Sequence, residues 1–394
     1  MRFVGIDIGS DAHVVAVVDE AGAILVSPTR FTEEATGYER LLTLLGAPGD
    51  VLIAMEATGH YWRNVFAVLA SRGFAVALLN PARTNAFARE DLRRTKTDAL
   101  DAVLIARFAQ QKRPRITPIS DAATQELHEL VQLRDRLVQD LGDRQRQLHR
   151  LVDLCFPEFT QIIPGLDSHR ATTVLHAFPT AQALRHASVR RLTGLRHDDR
   201  ACVDKDLARR LIEAAKRSVG QHHGEVYRMQ VRFVCEDIDT LRTRVKQIDI
   251  DLESTLERHE VGQLLTTIDG IGPTTAARLV GEFGDFTRFQ APEQLVAHVG
   301  IVPGLRHSGK SCPTRAGISA IGDAKLRRAL WMPTIVAVRC NPWLRSFYER
   351  LRQRGKLPKV ALIAAMRKLL HAIYSVAINR RPFVPILPAT VSVP

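Results

Sequence analysis

Four carboxylates in the first third of the chain have the residue types and the spacing of a divalent-metal site. Asp7 lies between apolar residues in the predicted strand GIDIGS, and Glu56 ends the apolar strand VLIAME. Asp98 and Asp101 are three residues apart in RRTKTDALDAVLIARF, a spacing that places both on one face of a helix. Hard cations prefer oxygen ligands, and two Mg²⁺ ions can together hold the attacking and leaving oxygens of a phosphodiester. The four residues are therefore predicted to bind metal ions.

Each carboxylate also has a purely structural interpretation. Asp98 could be stabilised by the positive end of the helix dipole, Asp101 could be solvated, and Glu56 could cap the turn after its strand. A carboxylate among apolar strand residues nevertheless needs a partner, because a buried unpaired charge is costly. The coincidence of all four in one α/β segment favours the metal site. Cations immediately before the helix could then hold a nucleic-acid backbone beside it, namely Arg93, Arg94 and Lys96.

The overall charge of the chain points to a polyanionic partner. The 394 residues carry a formal net charge of +13 with a pI near 10.0, and a hydrophobic content of 45% indicates a globular protein. Nucleic acid is the first candidate partner, and an acidic membrane surface is the second. The five cysteines are scattered and form no CxxC pair, which argues against disulfides or a zinc site and fits a reducing cytoplasm. The N-terminus has no apolar signal core, and the longest apolar runs, such as NVFAVLASRGFAVALLN, are interrupted before bilayer length. We therefore expect a cytoplasmic protein without a membrane partner.

Alternating strand and helix signals in the first 112 residues predict an α/β domain. RFVGIDIG and HVVAVVDE are β-branched runs joined by a Gly-Ser-Asp turn, which is typical of a hairpin. Further strands are predicted around 23–31, at VLIAME and at FAVALLN, with helices at GYERLLTLLG, HYWRNVFAVLASRG, 81–90 and 98–112. This order fits a ribonuclease-H/RuvC-like mixed sheet, although other α/β folds share it.

Helical signals replace strand signals after about residue 120. Apolar residues three and four apart predict two long coiled-coil helices, which would pack within one chain or pair between protomers. The first series is Leu127, Leu130, Leu137, Leu141, Leu148 and Leu151, and the second is Ile238, Leu241, Val245, Ile248 and Leu252. Between them, 158–220 is a predicted helical insertion without an assigned role. The predicted domains are 1–115, 116–262 and an all-α segment over 263–394.

The last domain contains two stretches with more than one interpretation. In LLTTIDGIGPTTAARLVGEF, a Gly-Ile-Gly-Pro turn joins two helices, as in a helix-hairpin-helix whose backbone N–H groups contact phosphate. An ordinary turn between helices uses the same residues only to reverse the chain, so both interpretations are open for Gly270 and Gly272. In GLRHSGKSC, no neighbouring base would activate a hydroxyl, and from these residues alone Ser308 is a surface loop residue.

The GIDIGS segment has a further interpretation from a different class of enzyme. Sugar kinases and actin-like ATPases open with a similar strand, turn and strand that cradle phosphate. They also carry a later Asp-x-Gly-Gly phosphate loop and a Gly-Gly adenosine loop, and the sequence contains neither. A pI near 10.0 suits them poorly as well.

Several motifs resemble those of the insertion-sequence-110 family of transposases, the DEDD recombinases related to the Piv and MooV DNA invertases. GIDIGSDAHVVAV, EATGHYW, NPARTNAFA, RRTKTDALDAVLIARF and QKRP resemble the N-terminal half of the family. IDGIGPTTAARLVGEFGD, LVAHVGIVPGLRHSGKS and GDAKLRRALWMP resemble its C-terminal transposase domain. The motifs occur in the family's order from residue 3 to about 375, so the resemblance covers nearly the whole chain.

The resemblance implies a RuvC-like domain in which Asp7, Glu56, Asp98 and Asp101 bind Mg²⁺, which Mn²⁺ could replace. It implies that Ser308 is a nucleophile that becomes covalently joined to DNA. It also implies a structured bridge RNA that selects donor and target DNA by base pairing, and dimers that assemble into a tetramer. The residues predicted to contact nucleic acid are Arg93, Arg94, Lys96, Gly270, Gly272, Lys310, Arg327 and Arg328.

The predicted function is an RNA-guided transposase that excises and inserts its own element in a prokaryotic cytoplasm, at the nucleoid when active. Two features depart from the family pattern: Ala320 stands where the family often has lysine, and the 158–220 stretch is longer than in compact members. The alternatives are an invertase with the same chemistry, a RuvC-like junction resolvase that uses water, and a catalytically silent nucleic-acid-binding protein.

Overall fold

The computed structural model describes residues 1–90, 97–119, 121–306, 314–318 and 322–385, without the side chains of 303–306 and 314–318. Contacts divide the chain into two compact units, residues 1–119 and 120–394. The boundary between the units lies close to residue 115, where the sequence analysis ends the first domain. The second unit includes both segments that the sequence analysis separates at residue 262.

The first unit is a five-stranded mixed sheet with four helices. Its strands are β1 (Arg2–Asp7), β2 (Ala12–Val18), β3 (Ile24–Thr32), β4 (Val51–Glu56) and β5 (Ala75–Leu79). Its helices are α1 (Ala35–Leu45), α2 (Trp62–Ser71), α3 (Pro81–Glu90) and α4 (Asp98–Lys112). The strand order is β3-β2-β1-β4-β5, with β1, β4 and β5 parallel and β2 antiparallel to its neighbours. The predicted mixed α/β unit and its nine elements are confirmed.

Helices cover both faces of the two central strands, which explains why β1 and β4 are apolar along most of their length. Side chains alternate between the faces of a strand. One set packs with α1 and α2, and it consists of Val4, Ile6, Ile53 and Met55. The other set packs with α4, and it consists of Phe3, Leu52 and Ala54. By this alternation, the last residue of each strand belongs to the α4 face.

α4 lies directly on β1 because residue 5 is glycine. A methyl group at Gly5 would be 2.1 Å from the Ala102 carbonyl oxygen and 2.3 Å from the Ala106 nitrogen, both backbone atoms of α4. Just beyond the other end of α4, the Arg113 guanidinium lies 4.8 Å from the centre of the Phe3 ring, near the start of β1. The first turn of α4 therefore lies toward the end of β1, where Asp7 is.

Replacing Gly5 with alanine is expected to destabilise the first unit by about 3 kcal/mol, the upper end of the usual cost of overpacking. The cost is high because backbone atoms, and not a flexible side chain, block the methyl group. Chemical denaturation of the purified protein measures the change. Gly49→Ala is the matched control, since a methyl group there meets no described atom within 4 Å. Equal stability of the two variants would contradict the close packing of α4 on β1.

The second unit is mostly helical. Its first half contains α5 (Ala122–Cys155), α6 (Phe159–Ile162), α7 (His169–Ala177), α8 (Ala181–Arg185), α9 (Val189–Thr193), α10 (Lys205–Lys216) and α11 (Glu225–Glu257). Its second half contains α12 (Glu260–Thr266), α13 (Pro273–Phe283), a 3₁₀ turn (Phe286–Arg288), α14 (Pro292–Val299), α15 (Ala324–Ala329), α16 (Trp331–Cys340), α17 (Pro342–Gln353) and α18 (Pro358–Asn379).

The two heptad series form α5 and α11, which pack against each other within the chain. The two arginines that interrupt the first series reach across to α11: Arg134 pairs with Asp249 at 2.5 Å, and Arg144 pairs with Asp237 at 3.1 Å. The arginine that lies later in α5 pairs with the aspartate that lies earlier in α11, so the two helices are antiparallel. Of the two arrangements left open by the spacing, the structure contains the intramolecular one.

The α5–α11 pair contributes to two separate hydrophobic cores. At one end, Leu148 and Ile238 join the core formed by the insertion helices α6 to α10. At the other end, Leu127 and Leu252 join the core of α12 to α18. The 158–220 insertion is thus a packed helical subdomain on one end of the pair.

The expectation that strands end near residue 120 is wrong in detail. Two short antiparallel hairpins occur in the second unit: β6 (Arg196–His197) with β7 (Arg200–Ala201), and β8 (Pro303–Arg306) with β9 (Thr314–Ile318). β6 and β7 have only two residues each, too few for a period-two pattern, and β8 (PGLR) and β9 (TRAGI) contain Pro and Gly, which are depleted in strands. The described residues of 263–394 are therefore helices with one hairpin, and the segment is not all-α.

The prediction that every apolar run is interrupted before bilayer length is wrong for α18. This helix of 22 residues is long and apolar enough, by length and composition, to span a membrane. Half of its most apolar window is buried inside the protein, and Leu369, Leu370 and Ile373 belong to the core shared with α12 to α17. Its apolar character is that of a central core helix.

The described cysteines are free thiols, as their scattered spacing predicts. Cys155, Cys202 and Cys235 are buried, and Cys340 is exposed. Burial raises the pKa of the Cys155 thiol to about 11 and that of Cys235 to about 12. Thiols with so high a pKa are protonated at neutral pH and are therefore poor nucleophiles and metal ligands.

Candidate active site

Asp7 and Glu56 end neighbouring parallel strands. β1 pairs with β4 up to Ile6 and Met55, and the next residue along each strand is one of the two carboxylates. Adjacent strands are about 4.8 Å apart, so the backbones of the two residues are close neighbours. Strand alternation places both on the face covered by α4. The structure thus brings together two residues that are 49 positions apart in the sequence.

Glu56 is held by a residue that the sequence analysis did not single out. The Thr84 hydroxyl, on α3, donates a short hydrogen bond to Glu56 Oε1 and lies 3.0 Å from the Pro81 carbonyl oxygen. Thr84 is only 1% exposed, so water does not compete for this contact. The available sequence signal for Thr84 is its position in NPARTNAFA, a motif that resembles one of the family's motifs. The motif does not show which of its residues contacts Glu56.

Asp98 and Asp101 lie in the first turn of α4. Thr97 caps the helix: its hydroxyl accepts a hydrogen bond of 3.3 Å from the Leu100 N–H, and its carbonyl accepts one of 2.9 Å from the Asp101 N–H. Asp98 is exposed, whereas Asp101 is half-buried and immediately precedes Ala102, which contacts Gly5. Asp101 is therefore the helix carboxylate nearest to β1.

The strand ends that carry Asp7 and Glu56 and the first turn of α4, which carries Asp98 and Asp101, lie at one end of the sheet, and carboxylate oxygens are ligands that a hard divalent cation accepts. In the parts of the chain that the structure describes, no three acidic, histidine or cysteine side chains converge closely enough to hold an ion alone. Mg²⁺ is commonly bound by one or two carboxylates, with water and substrate phosphates completing an octahedron. An all-oxygen donor set beside a phosphate-bearing substrate meets that requirement.

Five of the residues predicted to act on nucleic acid lie outside the described residues. Arg93, Arg94 and Lys96 belong to 91–96, directly before α4, and Ser308 and Lys310 belong to 307–313, between β8 and β9. Their roles therefore stay predictions from the sequence. The four predicted metal ligands are among the described residues, and the predicted nucleophile is not.

The glycines of the α12–α13 turn differ in their surroundings. Gly270 has a φ of +100°, and a methyl group there would be 2.5 Å from the Ala337 Cα of α16. This glycine is thus required for the close approach of two chain segments. Gly272 is the exposed N-cap of α13, and a methyl group there meets no atom within 4 Å in the described structure. Only Gly272 has the open approach that a phosphate would need.

The two adjacent arginines of α15 also differ. Arg327 is half-buried, and its Nη1 donates a hydrogen bond of 3.1 Å to the Val299 carbonyl at the end of α14. This contact satisfies a carbonyl at the negative end of a helix dipole. Arg328 is exposed beside it. The contact gives Arg327 a structural role in α14 capping, and Arg328 is the more accessible of the pair.

Comparison with known families gives matches to both units. A profile of transposases of the DEDD IS110 type matches residues 4–157, and a profile of the IS116/IS110/IS902 transposase family matches residues 262–349. The first match contains all four candidate carboxylates, and the second contains Ser308. The residues between the matches include the 158–220 insertion.

Individual relatives extend the similarity over nearly the whole chain. A pilin gene-inverting protein of Moraxella bovis is 27% identical over 359 residues, which cover 90% of this chain and 89% of that protein. The 43.6 kDa protein of insertion element IS110 from Streptomyces coelicolor is 24% identical over 377 residues, 95% of this chain and 93% of that protein. A transposase for insertion sequence IS1328 of Yersinia enterocolitica is 26% identical over 363 residues, 91% of this chain and 87% of that protein.

Proposed function

Because the chain belongs to the insertion-sequence-110 family of transposases, we propose that it moves a DNA element by metal-dependent strand exchange through a serine–DNA intermediate. It is a DNA-cleaving and strand-transferring enzyme of the transposase and DNA invertase type. The proposal adds the chemistry: the carboxylates of a RuvC-like first unit bind Mg²⁺, and Ser308 of the second unit is the nucleophile.

The observation that carries this proposal is that the elements bearing Asp7, Glu56 and Asp101 are neighbours at one end and on one face of the mixed sheet. Strand pairing places the first two side by side, and the contact of Gly5 with Ala102 places the third near them. Mg²⁺ needs only one or two protein carboxylates, because water and substrate phosphate oxygens complete its octahedron. Carboxylates on elements that meet at one end of a sheet support a cation-binding role on that basis.

The residues of the chain would divide the work of the reaction. Mg²⁺, when bound by the carboxylates, would supply stabilisation of the negative charge that develops on the scissile phosphate. Thr84 would hold the Glu56 carboxylate in one orientation. The Ser308 Oγ would attack phosphorus, so that an Oγ–P bond forms while a P–O bond of the DNA breaks and a DNA hydroxyl leaves. Attack by another DNA hydroxyl on that phosphoserine ester would restore Ser308 and rejoin the strand.

The chain's net charge of +13 supports a further part of the proposal, a structured guide RNA together with donor and target DNA. Base pairing with such a bridge RNA would select the DNA sequences that recombine, and the basic protein surface would bind the phosphate backbones of the RNA and DNA. We propose that dimers assemble into a tetramer around these nucleic acids. We propose that the reaction takes place in a prokaryotic cytoplasm, at the nucleoid. Mn²⁺ would be able to replace Mg²⁺.

The experiment that tests the proposal combines the purified protein with the element ends, the flanking non-coding RNA and Mg²⁺. We expect a protein–DNA adduct that survives SDS, together with exchanged strands, and neither product when EDTA removes the metal. Adduct formation in the absence of the RNA would contradict the proposed requirement for a guide RNA. Strand cleavage without any adduct would favour the junction resolvase, in which water attacks the phosphate.

A second candidate function is inversion of a DNA segment by the same chemistry. The observation in its favour is the similarity to a pilin gene-inverting protein over 90% of this chain. The same assay separates the two functions when the element ends are placed on one plasmid in inverted orientation. Inverted products without excised element would identify an invertase.

Replacing Thr84 with valine is expected to raise the Mg²⁺ concentration for half-maximal cleavage by about tenfold, because loss of a residue that orients a metal ligand typically costs 10- to 100-fold. Valine keeps the shape of threonine and removes the donor to Glu56. Cleavage measured over a Mg²⁺ titration gives the shift. Thr84→Ser keeps the hydroxyl and should behave like wild type, and an unchanged titration for valine would show that this hydrogen bond does not orient the ligand.

A further inference from the structure

A large groove in the second unit belongs to none of the sites described above. Its volume is about 1000 Å³, at the upper end of the range for small-molecule pockets. It runs along one face of α18 and is also lined by α17 and by the chain segment that follows α18. Both neighbouring elements contribute aromatic rings to it.

Three half-buried aromatic side chains form one side of the groove. Trp343 and Phe347 come from the first half of α17, and Phe383 comes from the segment after α18. The Phe383 ring lies edge-on to Trp343, with 5.4 Å between the ring centres. The Phe383 backbone is held by a hydrogen bond of 2.9 Å to the Thr267 hydroxyl. The aromatic side is therefore assembled from two segments and anchored to a third.

The polar lining consists of three cations together with His371, Ser375 and Asn379. Arg367 and Arg381 are exposed at the rim, and the Lys368 ammonium lies 4.2 Å from the centre of the Trp343 ring and 4.5 Å from that of Phe347. None of the described residues that line the groove is Asp or Glu. A groove with three cations and no carboxylate attracts anions and disfavours acidic protein segments.

The electrostatic surroundings of Lys368 agree with an anionic ligand. Burial lowers the pKa of its ammonium group, and the neighbouring Arg350 guanidinium lowers it further. A bound phosphate would offset both effects. The ammonium lies over the Trp343 and Phe347 rings, and Lys368 is one of the residues that line the groove.

We propose that this groove binds an unpaired nucleotide of a single nucleic-acid strand, with the base on the aromatic side and the phosphate beside the cations. Aromatic rings combined with a positively charged groove are the common means of binding single strands without sequence preference. Strand exchange produces unpaired nucleotides, so the site would suit a recombinase. It needs neither the metal-binding carboxylates nor Ser308, and it therefore stands apart from the proposed chemistry.

The test measures the affinity of the full-length protein for a labelled short oligo(dT) and for an abasic deoxyribose-phosphate oligomer of the same length, by fluorescence anisotropy. Phe347→Ala is expected to weaken binding of oligo(dT) about tenfold, the usual effect of removing one stacking ring, with little effect on the abasic oligomer. Oligo(U) should bind similarly, because stacking and phosphate contact are common to DNA and RNA.

A pair of double variants separates the groove from the general charge of the protein. Arg367→Gln with Arg381→Gln should lower the slope of log affinity against log salt by about 1.4, since each phosphate contact to a single strand contributes about 0.7. Arg339→Gln with Arg345→Gln removes the same charge from exposed residues of α16 and α17 that are not part of the groove lining, and it should lower the slope much less. Equal effects of the two pairs would overturn the proposal.

Two further measurements complete the test. The chain has three tryptophans, so Trp62→Phe with Trp331→Phe leaves Trp343 as the sole indole, and oligo(dT) should quench its fluorescence. If the Trp343 fluorescence is quenched as the protein concentration rises, with no oligonucleotide present, a second copy of the chain covers the groove. That result would overturn the proposal. Asp101→Asn should bind oligo(dT) like wild type, so loss of catalysis and loss of this site are distinguishable.

Discussion

Replacing Ser308 with alanine is expected to abolish the SDS-resistant protein–DNA adduct and to lower strand exchange by at least about a thousandfold. Alanine has no hydroxyl to form the Oγ–P bond, and removal of a catalytic nucleophile typically costs between about 10³- and 10⁶-fold. Under the proposed mechanism every exchanged strand passes through the covalent intermediate, so the loss of activity should be sharp. Denaturing gels with labelled element ends measure both the adduct and the products.

The matched control for that variant is Ser311→Ala, the same change three residues away in RHSGKSC. Ser311→Ala should form the adduct at close to the wild-type level. If the adduct instead vanished in Ser311→Ala and persisted in Ser308→Ala, the nucleophile would be Ser311. Undiminished cleavage by Ser308→Ala would mean that water attacks the phosphate, as in a junction resolvase.

Replacing Asp101 with asparagine is expected to lower adduct formation and strand exchange by about a thousandfold or more, while DNA and RNA binding are retained. Asparagine keeps the shape of the side chain and removes the charge that would hold Mg²⁺. The structural interpretation of Asp101 is a solvated carboxylate, and even a favourable interaction with the helix N-terminus would add only about 0.3–1 kcal/mol. Loss of that amount would change the free energy of unfolding slightly and would leave catalysis nearly intact.

The size of the effect therefore decides between the two interpretations of Asp101. Gel-shift assays measure binding, and denaturation measures stability, alongside the activity of each variant. Asp50→Asn is the matched control, because Asp50 is an exposed aspartate of the same unit that lies outside the acidic cluster. A fall in activity of less than about tenfold for Asp101→Asn would exclude this residue as a metal ligand.

The acidic cluster also shows how pattern and packing combine. The sequence placed its four members on two strands and one helix, and those elements occur as predicted. The approach of the helix that carries Asp98 and Asp101 to β1 depends on Gly5, whose missing side chain lets α4 lie on that strand. A glycine within an apolar strand could equally mark a bulge or a flexible position, so its partner could not be identified from the sequence.

Side-chain partners were the least predictable level of the site. Thr84 lies 28 residues from Glu56 and becomes its donor only because α3 follows β5, the strand next to β4. Arg327 carries the same charge as Arg328, yet its guanidinium binds the Val299 carbonyl. Residue type shows what a group can donate, and only the folded chain determines which acceptor lies within reach.

The sequence by itself determined the local elements of the first unit, the two long helices and the family. Periodicity, turn residues and motif order act over short stretches, and those stretches are sufficient to define a strand, a helix or a motif. The tertiary structure alone decided that α5 pairs with α11 inside the chain, that α18 is a core helix, and that Asp7, Glu56 and Asp101 share one end of a sheet. Each of these depends on contacts between residues far apart in the chain, where close packing and opposite charges select one arrangement among many that the local pattern allows.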